Sequence, residues 1–172
     1  YLRIADGFFM TKQYFLAEKY YNKAIQYNLF DTDYAIYNRS KALGLIGEFA
    51  LKLELLIQLK DEYPTSGYYD NTLADLAQYY KNTMKNDIAL KYYHDLLLIT
   101  KDEKLILDAR LSMGIIYFNS NKVEEAIQEF LFIVNNHQNT KYFKEGLSGI
   151  QSAYTSLGRI DEYLAIVDKL PE

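Results

Sequence analysis

One set of residue types recurs along this chain at a near-constant interval of 37 residues, and an interval of that size leaves few folds open. The segment after Ala109 sets out the pattern: small Gly114, aromatic Tyr117, a turn at Asn121, then Val123, Ala126, Phe130 and Ile133. One interval earlier the slots hold Ala77, Tyr80, Asn86, Ala89, Tyr93 and Leu96; one interval later they hold Gln151, Tyr154, Ile160, Tyr163, Val167 and Leu170. Another copy gives Ser40, Leu43, Phe49, Lys52, Leu56 and Leu59. The earliest, offset by 35, gives Ala5, Phe8, Tyr14, Ala17, Tyr21 and Ala24.

Within each copy the apolar residues fall three and four apart, as in Tyr14, Ala17, Tyr21, Ala24 and Ile25, which is the stripe of an amphipathic helix. Two prolines and eight glycines are too few for the many turns of a β-sandwich. The expectation is an all-α chain in which each repeat is two helices joined by a turn. Paired small residues such as Ala5 with Ala17, Ala77 with Ala89 and Gly114 with Ala126 let the helices approach closely. The aromatic and aliphatic slots fill the space between successive hairpins, so the repeats depend on one another. The predicted repeats are 1–30, 33–64, 67–101, 103–138 and 140–172, forming a single array over 1–172.

In these residues the chain resembles the tetratricopeptide repeat (TPR) family, most closely in the first, third and fourth copies. Lys52 and Tyr163 stand where that family usually has Ala, and Gln151 replaces a small residue. The resemblance implies a right-handed α-solenoid of five helix-turn-helix hairpins. The family's usual unit is shorter, so an extra helical turn or a longer connection is expected here. The junction Glu62-Tyr63-Pro64-Thr65-Ser66-Gly67-Tyr68-Tyr69, echoed from Asn136 to Phe143, is similar to that of periplasmic TPR proteins of the Tol-Pal and outer-membrane-assembly type. That likeness, with the richness in Tyr, Asn, Lys and Ile, favours a bacterial cell-envelope location over the cytoplasm.

A hydrophobic content of 49% supports an ordered core, and a net charge of −4 supplies no positive field for nucleic acid or anionic lipid. No run of about 20 apolar residues offers a membrane span. The sequence lacks P-loop, nucleophile-elbow, zincin and dinucleotide signatures, so neither enzyme activity nor a cofactor is expected. With no Cys and with His94 and His137 far apart, no metal site is expected, and both histidines read as solvated surface residues. The acidic pairs Asp102-Glu103, Glu124-Glu125 and Asp161-Glu162 read as helix N-terminal residues that complement the helix dipole. The doubled tyrosines, such as Tyr20-Tyr21 and Tyr92-Tyr93, each supply one core member.

In this family the concave face is lined by first helices and binds peptides or extended segments. The resemblance carries that role to Leu2, Asp6 and Phe9 in the first repeat, and to Tyr34, Tyr37, Asn38 and Lys41 in the second. The third repeat supplies Asn71 and Gln78, the fourth Leu111, Ile115 and Phe118, and the fifth only Ser148, Ser152 and Thr155. The expected groove is apolar and aromatic at one end and polar at the other. Leu2, Asp6, Asn38, Asn71 and Asp75 stand where chaperone-binding members hold a carboxylate with Lys and Arg; only Asn38 fits, so that mode is disfavoured. The resulting expectation is a scaffold for a protein or peptide partner, with a carbohydrate- or small-ligand-binding module of an envelope lipoprotein as the alternative. The last repeat ends without a polar capping helix, so a longer repeat protein, or self-association through uncapped ends, is expected.

Overall fold

The structure, a computed structural model, describes residues 1–27, 30–138 and 140–170. Among these, α-helices are the regular elements: α1 (Leu2–Met10), α2 (Tyr14–Gln26), α3 (Thr32–Leu45), α4 (Phe49–Glu62) and α5 (Tyr69–Asn82) lie in one compact unit, Tyr1–Thr83. A second unit, Met84–Glu172, holds α6 (Asn86–Ile99), α7 (Glu103–Asn119), α8 (Val123–Asn136), α9 (Lys141–Ser156) and α10 (Ile160–Val167). No described helix is long and apolar enough to cross a membrane.

The repeat shows itself most plainly where first helices end. Left-handed backbone recurs at Lys12, Gly47, Met84, Asn121 and Gly158, with φ of 60°, 87°, 59°, 60° and 69°. At four of these turns the next residue's N–H reaches back across the last helical turn: Gln13 to the Phe8 carbonyl (2.8 Å), and Glu48 to Leu43, Lys122 to Tyr117 and Arg159 to Tyr154 (each 2.9 Å). This is a Schellman closure, which satisfies carbonyls that a helix end would otherwise leave orphaned. Two later starts are capped by side chains. Asp102 accepts from the Lys104 and Leu105 N–H groups at 2.9 and 3.1 Å, and Thr140 accepts from Phe143 at 3.2 Å. The additional length of the repeats is taken up in both expected ways, as a connection over 63–68 and as a 17-residue α7.

In the first unit Ala5, Ala17, Tyr21 and Ala42 form one core cluster, and Ile36, Leu43, Leu55 and Leu59 another. In the second, Ala126, Ile127, Phe130, Val134, Ile150 and Ala153 do the same. Each fully buried Leu or Ile contributes roughly 1.5–3 kcal/mol. Ala5, Ala17, Ala89 and Ala126 are completely buried, as small residues at close approaches should be.

Several slots differ from the repeat pattern, Phe49, Gln151 and Lys52 among them. Phe49, given a core role by its spacing, is 57% exposed because it is the first residue of α4 and stands at the turn. Gln151 is exposed while Ile150, Ala153 and Tyr154 are buried, because the close approach of α9 is made at Gly146 and Gly149 instead. Lys52 fits its small-residue slot because Gly44 faces it: a Cβ on that glycine would stand 3.1 Å from the lysine Cδ. The lysine stem crosses the contact and its ammonium reaches Asp75 at 3.4 Å. His94 is exposed, with Nε2 3.2 Å from the Tyr117 hydroxyl. His137 corrects the expectation of a solvated residue. It caps α8, its side chain is only 15% exposed, and Nδ1 lies 2.8 Å from Glu103 Oε1.

Candidate functional site

In the second unit the pattern Leu111, Ile115, Phe118 is one stripe of α7, and Lys144, Glu145, Ser148, Gly149, Ser152 is one stripe of α9. The two stripes face each other across a groove of about 450 Å³ whose floor is the ring of Phe130 from α8. The lining is mostly apolar, with Lys144 and Glu145 as the charged residues and Ser148 and Ser152 as small polar ones. Depth comes from the absence of side chains. A Cβ on Gly149 would meet the Phe130 ring at 2.7 Å and one on Gly114 would meet it at 2.5 Å, so the ring sits wedged between two glycines. Any larger residue at either position would push the ring out of its seat or force α7 and α9 apart.

The walls are held from behind. The Tyr142 hydroxyl donates to Asp108 Oδ1 at 2.7 Å, tying α9 to α7. Burial, and then that carboxylate, push the Tyr142 phenol well above its ordinary pKa. Arg110 donates to Glu129 Oε2 at 2.8 Å and its guanidinium lies over the Phe132 ring at 4.4 Å, joining α7 to α8. Arg159 bridges Glu124 of α8 and Glu162 of α10, the latter at 2.6 Å. The groove is therefore a feature of the packed unit.

The first unit is built differently. Leu2, Asp6 and Tyr34, with Arg3, Asp31, Asp33 and Tyr68, line a cleft of about 550 Å³ that is mainly polar. Several of its polar groups already engage one another or nearby side chains. Asp6 Oδ1 accepts hydrogen bonds from both the Tyr21 hydroxyl (2.6 Å) and the Tyr34 hydroxyl (2.7 Å). Burial first, and then Asp6, raise both phenols, that of Tyr34 to about 12. Tyr37 stacks on Tyr68 with centroids 5.2 Å apart, and its phenol is also raised by burial. The Lys41 ammonium lies 5.6 Å from the Phe9 ring centroid and 5.5 Å from that of Tyr37. Asn38 donates to the Tyr34 carbonyl at 3.0 Å.

The structure thus brings the predicted residues into two places. Leu111, Ile115 and Phe118 meet in the second-unit groove with Ser148 and Ser152, while Leu2, Asp6, Phe9, Tyr34, Tyr37, Asn38 and Lys41 form the aromatic and polar network of the first. Asn71 and Gln78 lie half-buried on α5, and Gln78 donates to Asn82 at 2.6 Å. The second-unit groove is mostly apolar, whereas the first-unit cleft is mainly polar. Phe130, expected wholly in the core, is also the groove floor, and Lys144, Glu145 and Gly149 join the lining although their spacing did not single them out. The available signal was Gly146 and Gly149 three apart in a helix interior, each costing about 1 kcal/mol relative to Ala unless close packing requires it.

No protein-family model matches the sequence, and no curated protein does. Solved structures do. MamA superposes with a TM-score of 0.79 over 96% of this chain and 91% of its own, at 17% identity. The apo form of the quorum sensor NprR from B. thuringiensis gives 0.69 at 17% identity, over 94% of this chain and 49% of its own. The TPR-like repeats of a putative kinesin light chain from Podosopora anserina give 0.68 at 14% identity, over 97% and 89%. These likenesses establish the fold: the chain is an all-α helical repeat, similar in fold to these TPR-like structures.

Proposed function

We propose that the chain is a non-enzymatic interaction module that takes an apolar side chain of a partner protein into the groove between α7 and α9. The observation that carries this reading is the Phe130 floor between Gly114 and Gly149, which keeps an apolar groove open that larger residues would fill. A volume of about 450 Å³ suits one large side chain with its flanking backbone. The serines and the Lys144–Glu145 pair at the rim supply hydrogen bonds and charge to orient a segment lying along the helices. Ile115 is 42% exposed and Phe118 half-buried, so both can bury further surface on a ligand. The likeness to a quorum sensor is in keeping with a binding role. The first-unit cleft is the lesser candidate, because Asp6, Tyr34, Tyr37 and Lys41 already satisfy one another.

A displayed random-peptide library selected on the folded chain tests the reading. Enriched peptides should share a Leu, Met or aromatic anchor and lose at least about tenfold in affinity for Ile115→Asp, about the value of one buried apolar side chain. Peptides without an apolar anchor, or peptides indifferent to Ile115→Asp and to Ser148→Arg, would contradict it.

A further inference from the structure

A second apolar surface lies in the first unit, at the edge formed by the α1–α2 and α3–α4 turns. Met10 ends α1 and is 82% exposed; Phe15, near the start of α2, is 72% exposed; Leu45 ends α3 at 55% and Phe49 begins α4 at 57%. The two turns are neighbours, for Tyr14, Phe15 and Leu16 of one and Leu45 and Ile46 of the other line a shared hollow of about 360 Å³. None of these exposures is needed by the turn. The Schellman closures are made by backbone, and polar residues at the same places would serve equally well.

The extent of the patch indicates what covers it. At roughly 200 Å² for a large apolar side chain, Met10, Phe15, Leu16, Leu45 and Phe49 together expose about 600 Å², the upper end of what a monomer usually leaves in water. Two such patches face to face remove about 1,200 Å² in total, which reaches the lower limit of specific interfaces. The charges on the edge are self-complementary as well. Lys12 stands on the first turn and Glu48 on the second, both exposed, and neither has an ion-pair partner in its own chain among the described residues. A two-fold axis lays the first turn of one copy on the second turn of the other, so that Lys12 opposes Glu48 twice. That reciprocity is what an isologous contact requires.

We propose that this turn edge is the interface of a two-fold homodimer, closed by the apolar side chains of both copies and registered by two Lys12–Glu48 pairs. It is separate from the α7–α9 groove and stands or falls independently of it.

Sedimentation of the 172-residue chain over a wide concentration range tests the proposal. The expected species is a dimer dissociating in the micromolar range. Lys12→Glu and Glu48→Lys should each weaken it about tenfold, through like charges meeting twice, and the double reversal should restore it. Phe15→Asp with Leu45→Asp should abolish it while leaving the thermal melt of the monomer unchanged, because both positions are solvent-exposed. A monomer at all concentrations, an open-ended ladder of sizes, or a dimer that ignores these substitutions would overturn it.

Discussion

The ring of Phe130 lies 2.7 Å from the point where a Cβ on Gly149 would stand, and along its other edge 2.5 Å from the same point on Gly114. A ring with a neighbour that close on both sides cannot yield to one without meeting the other. In an ordinary helix interior Gly→Ala gains about 1 kcal/mol. Here Gly149→Ala and Gly114→Ala should instead destabilise by about 1–3 kcal/mol, the usual cost of overpacking a core. In a Phe130→Leu background, where the ring is gone, Gly149→Ala should become neutral or stabilising. Urea unfolding of the four proteins in this cycle gives the coupling directly.

Gly44 offers the contrasting case. A Cβ there would meet only the side chain of Lys52, its Cδ at 3.1 Å, and that side chain is long and able to shift by a few tenths of an ångström. Gly44→Ala should therefore be neutral or stabilising by up to about 1 kcal/mol. Lys52→Met should keep the packing of the stem and lose only the pair with Asp75, about 0.5 kcal/mol and less in high salt, since both side chains are partly solvated.

The left-handed turn positions make a prediction that involves no neighbour at all. Nothing lies within 4 Å of a Cβ built at Gly47 or Gly158, so Ala there pays only the backbone cost of positive φ, about 1 kcal/mol. Met84 already pays it, with φ of 59° and a side chain 82% exposed, so Met84→Gly should raise stability by up to about 1 kcal/mol. Thermal unfolding of the three variants checks the opposite signs.

The tyrosines of the first unit set an alkaline limit. Tyr21 and Tyr34 are held neutral by burial and by their hydrogen bonds to Asp6, and the Tyr34 phenol is raised to about 12. Their folded pKa values exceed the unfolded value of about 10, so their contribution to stability is complete below pH 10. It is lost as pH rises from there through about 12 for Tyr34. Unfolding free energy should thus decline with pH above 10, and less steeply in Tyr34→Phe. Phenolate absorbance should show the corresponding late titration.

Most of the fold was legible because a helix end, a close approach and a groove filler each demand a residue type, and a fixed period repeats the demand. Ala5, Ala17, Ala89 and Ala126 are buried where the pattern put them. What escaped was determined by pairs and not by single positions. Gln151 is exposed because the bulk of Phe130 requires glycine two places earlier, at 149, and Lys52 is tolerated because its neighbour is Gly44. The candidate groove was half-visible for the same reason. Leu111, Ile115 and Phe118 form a stripe that spacing reveals, whereas the opposite wall is defined by side chains that are missing, and Tyr34 and Tyr37 looked available until Asp6 and Tyr68 were seen to engage them.

The α7–α9 groove is the proposed place where a partner is held. Amide chemical-shift mapping, with the tightest peptide from the library titrated into the labelled chain, tests that most directly. The largest shifts are expected at Leu111, Ile115, Phe118, Ser148, Gly149 and Ser152, vanishing in Ile115→Asp. Shifts centred on Tyr34, Tyr37 and Lys41, with α7 and α9 unmoved, would contradict it.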